Sequence, residues 1–246
     1  MDCELLVGEG GDLIPLEWEE IDNLLDLGTR ESENIYILGQ EAKGQILAAV
    51  GRDGNDQMYP IAWAVVGKEN KDNWKWFIFW HAQELHLGDG SKITLISDMQ
   101  KGLIDAVKIV LPIAEHRFCA RHILANWGKR WHGEELKKRF WICAWSEFEE
   151  EFKYNLSKLG EVCKSAAEDL MRYNPQYWCR AYFSARCKSF IVDNNTTESF
   201  NSWIIDARHK PIVSMLEDIK VLCMTRIKDN KDAIKNWFND WSPRGG

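Results

Sequence analysis

QILAAVGRDGNDQMYPIAWAVV, residues 45–66, decides the fold class. Two apolar runs, 45–51 and 58–66, flank a polar turn that holds Asp53, Gly54 and Asp56. Apolar runs joined by Asp-Gly read as antiparallel strands. Turn chemistry accounts for both acids, because Asp side chains hydrogen-bond their own backbone in turns.

Downstream, KDNWKWFIFWHAQELH (71–86) reads as a helix with a broad apolar face, broken by Gly88, Asp89 and Gly90. ITLISD (93–98) is a short β-rich run ending in an acid, followed at once by the helical pattern KGLIDAVKIVL. Strand, strand, helix, strand, helix is an α/β order. AEHRFCARHI (114–123) reads as another short strand or a turn into a helix, and 124–190 as almost entirely helical. Within that block, Ser146 with Glu149 forms a capping-box signal, and Asn174-Pro175 opens a helix. Asn195 with Glu198 is a further start signal, and Pro211 opens a last amphipathic helix. Upstream, residues 1–33 are Gly-rich and acidic and read as a poorly ordered leader apart from the core.

Composition sets bounds. The chain has 246 residues, 45% hydrophobic and 28% charged, with a net charge of −7. That is an ordinary globular composition, without a membrane-length apolar run or a signal-peptide pattern. Seven scattered cysteines, with no CxxC pair, argue against a disulfide framework and a zinc ribbon. The acidic balance is unfavourable for phosphate binding, yet Arg117, Arg121, Lys129, Arg130, Lys137, Lys138 and Arg139 cluster in 117–139. Either a basic face or a solvated helix face fits that cluster. Most of the thirteen tryptophans lie at helical spacing beside apolar residues, as core residues do.

Four sets of residues have chemical potential. Asp98, at a strand end, suits a hard dication, and it equally suits a helix N-cap. Glu198 lies in the first turn of a helix, as a ligand or as a capping-box partner of Asn195. His116, Cys119 and His122 lie in HRFCARH, but zinc takes four ligands and no second pair is suitably spaced. Asp53 and Asp56 have turn roles.

Taken together, a strand-end acid, a Cys-x-x-His, a helical block and a helical Glu point one way. The stretch Gly44 to Met224 resembles the transposase domain of plant Mutator-like elements, the MULE family. The resemblance rests on AAVGRDGNDQMYPIAWAVV, ENKDNWKWF, LISDMQKGL, AEHRFCARHILANW, YWCRAYF and VDNNTTESFNSWI, in that order. It implies an α/β, RNase H-like mixed sheet flanked by helices, with an all-helical insertion before the last catalytic residue. It implies a nuclear protein that acts on DNA at transposon ends, as a homo-oligomer, with an Asp-Asp-Glu set holding Mg²⁺ or Mn²⁺. By position, the second Asp matches Asp98 and the Glu matches Glu198, both as catalytic metal ligands. The family's Cys-x-x-His matches Cys119 and His122, in a structural or DNA-proximal role. The implied organisation is a leader (1–33), a first core part (34–123), a helical insertion (124–190), a last core part (191–228) and a frayed tail (229–246).

One position departs from the family. Its first Asp falls on Asn34, in ESENIYILG, where a neutral amide is a poor metal ligand. Glu33 lies one residue away, but a one-residue slip turns a strand's side chains to the other face. The expectation is a truncated or catalytically decayed transposase core. The alternative is a domesticated, non-enzymatic domain like those of some plant transcription regulators. Such a regulator is expected to carry a DNA-binding finger, and none is written here.

Overall fold

A computed structural model describes residues 3–7, 44–52, 57–184 and 191–235. The order is β1 (Cys3–Val7), β2 (Gln45–Arg52), β3 (Met58–Val66), α1 (Lys71–Glu84), β4 (Ile93–Ser97), α2 (Lys101–Val110) and β5 (Glu115–Phe118). Helices α3 (Ala120–Trp127), α4 (Glu134–Ala144), α5 (Glu149–Val162) and α6 (Lys164–Leu170) follow, then three 3-10 turns. Helices α7 (Asn195–Trp203) and α8 (Ile212–Lys235) close the described chain. The protein is therefore mixed α/β and mostly helical. No helix of the described residues is long and apolar enough to cross a membrane.

The five strands form one mixed sheet in the order β3-β2-β1-β4-β5. β2 and β3 are antiparallel, as the 45–66 pattern requires, with a register shift between Ala49 and Val50. β4 and β5 are parallel, and the α2 crossover between them is what a parallel pair needs. The intervening strand comes from within the stretch 1–33, of which residues 3–7 are described. Cys3–Val7 sits at the centre of the sheet, parallel to β2 and antiparallel to β4, with Cys3 level with Ser97. Five residues with a Leu-Leu-Val end can fill a slot flanked by two buried strands, which would otherwise leave their backbone groups unpaired. Glu33, Asn34, Asp53 and Asp56 lie outside the described residues.

Side chains alternate across the sheet with the strand period of two. On β2, Leu47 and Ala49 join Ile93 and Leu95 of β4 under α1 and α2, through Trp74, Phe77, Leu103 and Val107. Ile46, Ala48 and Val50 face the other way, against Phe200 and Ile204 of the α7 segment and Met215 and Ile219 of α8. Burial on both faces explains why β2 reads as one continuous apolar run. The break after α1 uses Gly90 at φ +84°, where an added Cβ would stand 2.8 Å from the Ala114 Cβ. Gly102 lets α2 start against α1, since a Cβ there would stand 2.8 Å from the Lys71 nitrogen.

The helical body begins at Ala120 and has its own core. Phe140 and Trp178 stack with ring centroids 5.3 Å apart, and Trp127 donates from Nε1 to the Ala166 carbonyl at 3.1 Å. Trp74, Trp127 and Trp178 are core residues, whereas Trp76, Trp80 and Trp145 are exposed. The Ser146–Glu149 capping box does not form. Phe148 occupies the N-cap of α5, and the Ser146 hydroxyl donates back to the Ile142 carbonyl at 3.1 Å. Asn174-Pro175 opens a 3-10 turn only, with Asn174 Oδ1 accepting from the Gln176 N–H. At the end, α8 runs on to Lys235, past the point where fraying was expected.

Because β1 is central, a residue there that lacks an N–H breaks ladder bonds on a strand paired on both sides. Leu5→Pro is expected to lower the midpoint of thermal unfolding by about 4–8 °C, corresponding to roughly 2 kcal/mol, followed by circular dichroism. An unchanged midpoint would remove Cys3–Val7 from the sheet.

Candidate functional site

Ser97 ends β4 fully buried, and Asp98 follows at 7% exposure. Asp98 is not the cap of α2. That role falls to Gln100, whose Oε1 accepts from the Leu103 N–H at 2.5 Å. Asp98 Oδ1 instead accepts the Gln100 N–H at 3.2 Å, which holds the turn between strand and helix, and the residue has further interactions. Its backbone is fixed from the side. The Ser97 hydroxyl donates to the Asp98 carbonyl at 2.8 Å and lies 2.7 Å from His116 Nε2. With the single hydroxyl hydrogen directed at Asp98, the imidazole Nε2–H is the donor to Ser97. Burial, with Lys108 nearby, pushes His116 down to about 4, so this imidazole is neutral at ordinary pH.

Cys119 links the sheet to the later part of the chain. Its N–H continues the β4–β5 ladder to the Ser97 carbonyl at 2.7 Å. The next N–H, of Ala120, reaches the Val192 carbonyl at 2.8 Å. The Cys119 sulfur accepts the Asn194 N–H at 3.2 Å, and the backbone of His122 and Arg121 also points to it. Burial pushes this thiol up to about 11, so it stays a neutral acceptor. Cys119 stands at the N-cap position of α3 and anchors the start of α7 at the end of the sheet where β4 delivers Asp98. The other member of the Cys-x-x-His, His122, has its Nδ1 buried without a hydrogen-bond partner.

The first turn of α7 carries Glu198, and the expected Asn195–Glu198 capping box is absent. Asn194 is the N-cap, and its Oδ1 accepts from the Thr197 hydroxyl at 2.5 Å. The Asn195 N–H turns back to Asp193 Oδ1 at 3.3 Å. The Glu198 carboxylate faces Arg121 instead, with Oε2 3.7 Å from Nη1. The same guanidinium reaches Asn195 Oδ1 at 3.2 Å and Asp193 Oδ2 at 3.5 Å. Sequence reading placed Arg121 only within a basic cluster and left out Asp193. The one signal was its position inside Cys-x-x-His.

Part of that cluster is taken up in ion pairs. Arg117 is buried, paired with Glu115 at 3.0 Å and laid over the Phe183 ring. Lys137 pairs with Glu134 and Arg139 with Glu135 along α4. Among the described residues, no three His, Cys, Asp or Glu side chains are grouped so as to hold a metal ion.

Residues 34–126 match the family model of the MULE transposase domain. Asn34 is the first residue of this MULE match, and Asp98, Cys119 and His122 fall inside it. Glu198 lies beyond it. The match covers less of the chain than the Gly44–Met224 resemblance, and it supports a MULE-type transposase with DNA as its partner by resemblance. A search of curated proteins gave no match.

Two measurements test this geometry. Because His116 titrates lower in the folded chain than the ordinary 6.5, the unfolded chain alone takes up its proton between pH 6.5 and about 4. Its contribution to stability is full above pH 6.5 and is lost as pH falls through that window, with a ceiling of about 3 kcal/mol before solvent screening. His116→Gln is expected to flatten the decline in unfolding free energy between pH 7 and pH 4, and an identical decline would refute the assignment. Cys119→Ala leaves the Asn194 N–H without its acceptor and is expected to cost about 1–3 kcal/mol in urea unfolding.

Proposed function

We propose that the chain is the catalytic core of a plant Mutator-like DNA transposase, RNase H-like in fold, in a copy that cuts no DNA by itself. The observation that carries this reading is the MULE match over residues 34–126, with Asp98 inside it at the C-terminal end of β4. The mixed sheet with helices on both faces supports the fold assignment. So does the helical body that separates Asp98 from Glu198 in the chain.

In such a core, carboxylates would hold Mg²⁺ or Mn²⁺, which would supply Lewis-acid chemistry toward a phosphodiester. The described residues do not make up that centre. Hard dications need several anionic oxygens, and no group of three ligating side chains is present among these residues. Glu198 faces a guanidinium. No cleavage step follows from Asp98 and Glu198 alone. Asp98 holds the β4–α2 turn, and Arg121 neutralises the acids at the start of α7.

The Arg121–Glu198 pair favours a second reading within the same ancestry: a domesticated, non-enzymatic, DNA-associated or regulatory domain of the nucleus. An arginine on the last acid stabilises the helix start without a metal. Oligomerisation on DNA belongs to the transposase reading.

Mn²⁺ titration by calorimetry on wild type and Asn34→Asp tests the proposal. Weak binding in the wild type and at least about a tenfold gain in the variant, about 1.4 kcal/mol, is the expected outcome. Tight wild-type binding unchanged by the substitution, with cleavage of duplex DNA, would overturn it.

A further inference from the structure

A cavity of about 430 Å³ opens between the end of the β2–β3 pair and helices α7 and α8. Arg52, Arg226, Asn195, Thr196, Ser199 and Trp203 line it, and no carboxylate does among the described residues.

Both arginines are held in place. Arg52 Nε donates to Thr196 Oγ1 at 2.7 Å, and Arg52 has further partners. Arg226 Nε donates to the Met58 carbonyl at 3.0 Å, and its guanidinium carbon lies 5.6 Å from the centre of the Trp203 ring. Arg226 makes no ion pair among the described residues. A guanidinium fixed through Nε keeps a planar pair of terminal donors, the geometry that suits phosphate oxygens. Asn195, Ser199 and Trp203 recur every four residues on one face of α7, so the hollow follows that helix. Asn195 belongs to both features, since its Oδ1 also accepts from Arg121 beside Glu198.

We infer that this cavity is a phosphate-binding subsite for a nucleic-acid strand, centred on Arg226 and bordered by Arg52, Thr196 and Ser199. The inference deepens the transposase reading and rests on it for the choice of a strand as ligand. The subsite seats one backbone phosphate and requires no metal.

The test is fluorescence anisotropy of a labelled short single-stranded DNA on the full chain, in EDTA, over a salt series. Arg226→Gln is expected to weaken binding at least about fivefold and to reduce the salt slope by about 0.7, the share of one phosphate on a single strand. Arg226→Lys retains most of the affinity. Ser199→Asp, at an exposed position where the fold tolerates the change, brings a negative charge to the rim and weakens binding as Arg226→Gln does. Unfolding midpoints of the variants confirm that they are folded. Wild-type affinity and slope in both Arg226→Gln and Ser199→Asp, or no DNA binding by the wild type, would overturn the subsite and leave the metal titration unaffected. Displacement of DNA by inorganic phosphate beyond the effect of chloride at equal ionic strength would overturn the strand as ligand in favour of the free anion. All measurements are in EDTA, so a failure of the metal-centre reading does not move them.

Discussion

Cys119 makes three connections on which the rest of the arrangement depends. Its N–H extends the β4–β5 ladder, its backbone takes the N-cap position of α3, and its sulfur takes the Asn194 N–H that begins α7. These bonds tie residues 97, 119 and 194 across a long stretch of intervening helical chain. They act together with the packing of Phe200 and Ile204 on β2 to set the Glu198 segment against the strand that delivers Asp98. A buried neutral thiol suits the task. It is small enough for a crowded strand end and, unlike a carboxylate, carries no charge that burial would penalise.

The centre of the sheet follows a different constraint. β2 and β4 are each buried on both faces, so the slot between them must be filled by a strand that pairs on both edges. Cys3–Val7 fills it, antiparallel to β4. The described residue level with Ser97 is a cysteine. Glu198 is turned to Arg121, which offsets one of the acids expected of a dication centre.

Charge is distributed in the same sense. In the basic stretch 117–139, Arg117, Lys137 and Arg139 are taken up in local pairs with Glu115, Glu134 and Glu135. Arg52 and Arg226, on β2 and α8, are more than 170 residues apart in sequence and meet beside α7. A short helix thus separates two environments: Arg121 with its acids on one side, and the Arg52–Arg226 hollow on the other.

The sequence by itself determined the local elements, because their signals are local. The period-two pattern of 45–66, the Gly88–Gly90 break, ITLIS before KGLIDAVKIV, and the helical run after Ala120 each follow from side-chain spacing within a few turns of chain. It also placed Asp98 at a strand end and Glu198 in a first helical turn. Capping was read less well, since Ser146 and Asn195 sit where their side chains find tertiary or neighbouring partners instead. Only the tertiary structure decided that Cys3–Val7 belongs to the sheet, that Arg121 occupies Glu198, and that Arg52 and Arg226 share a cavity. Each of these joins residues distant in the chain. Pairing across such distances depends on which faces and edges the packed core leaves to be covered, and no local pattern of residues encodes that.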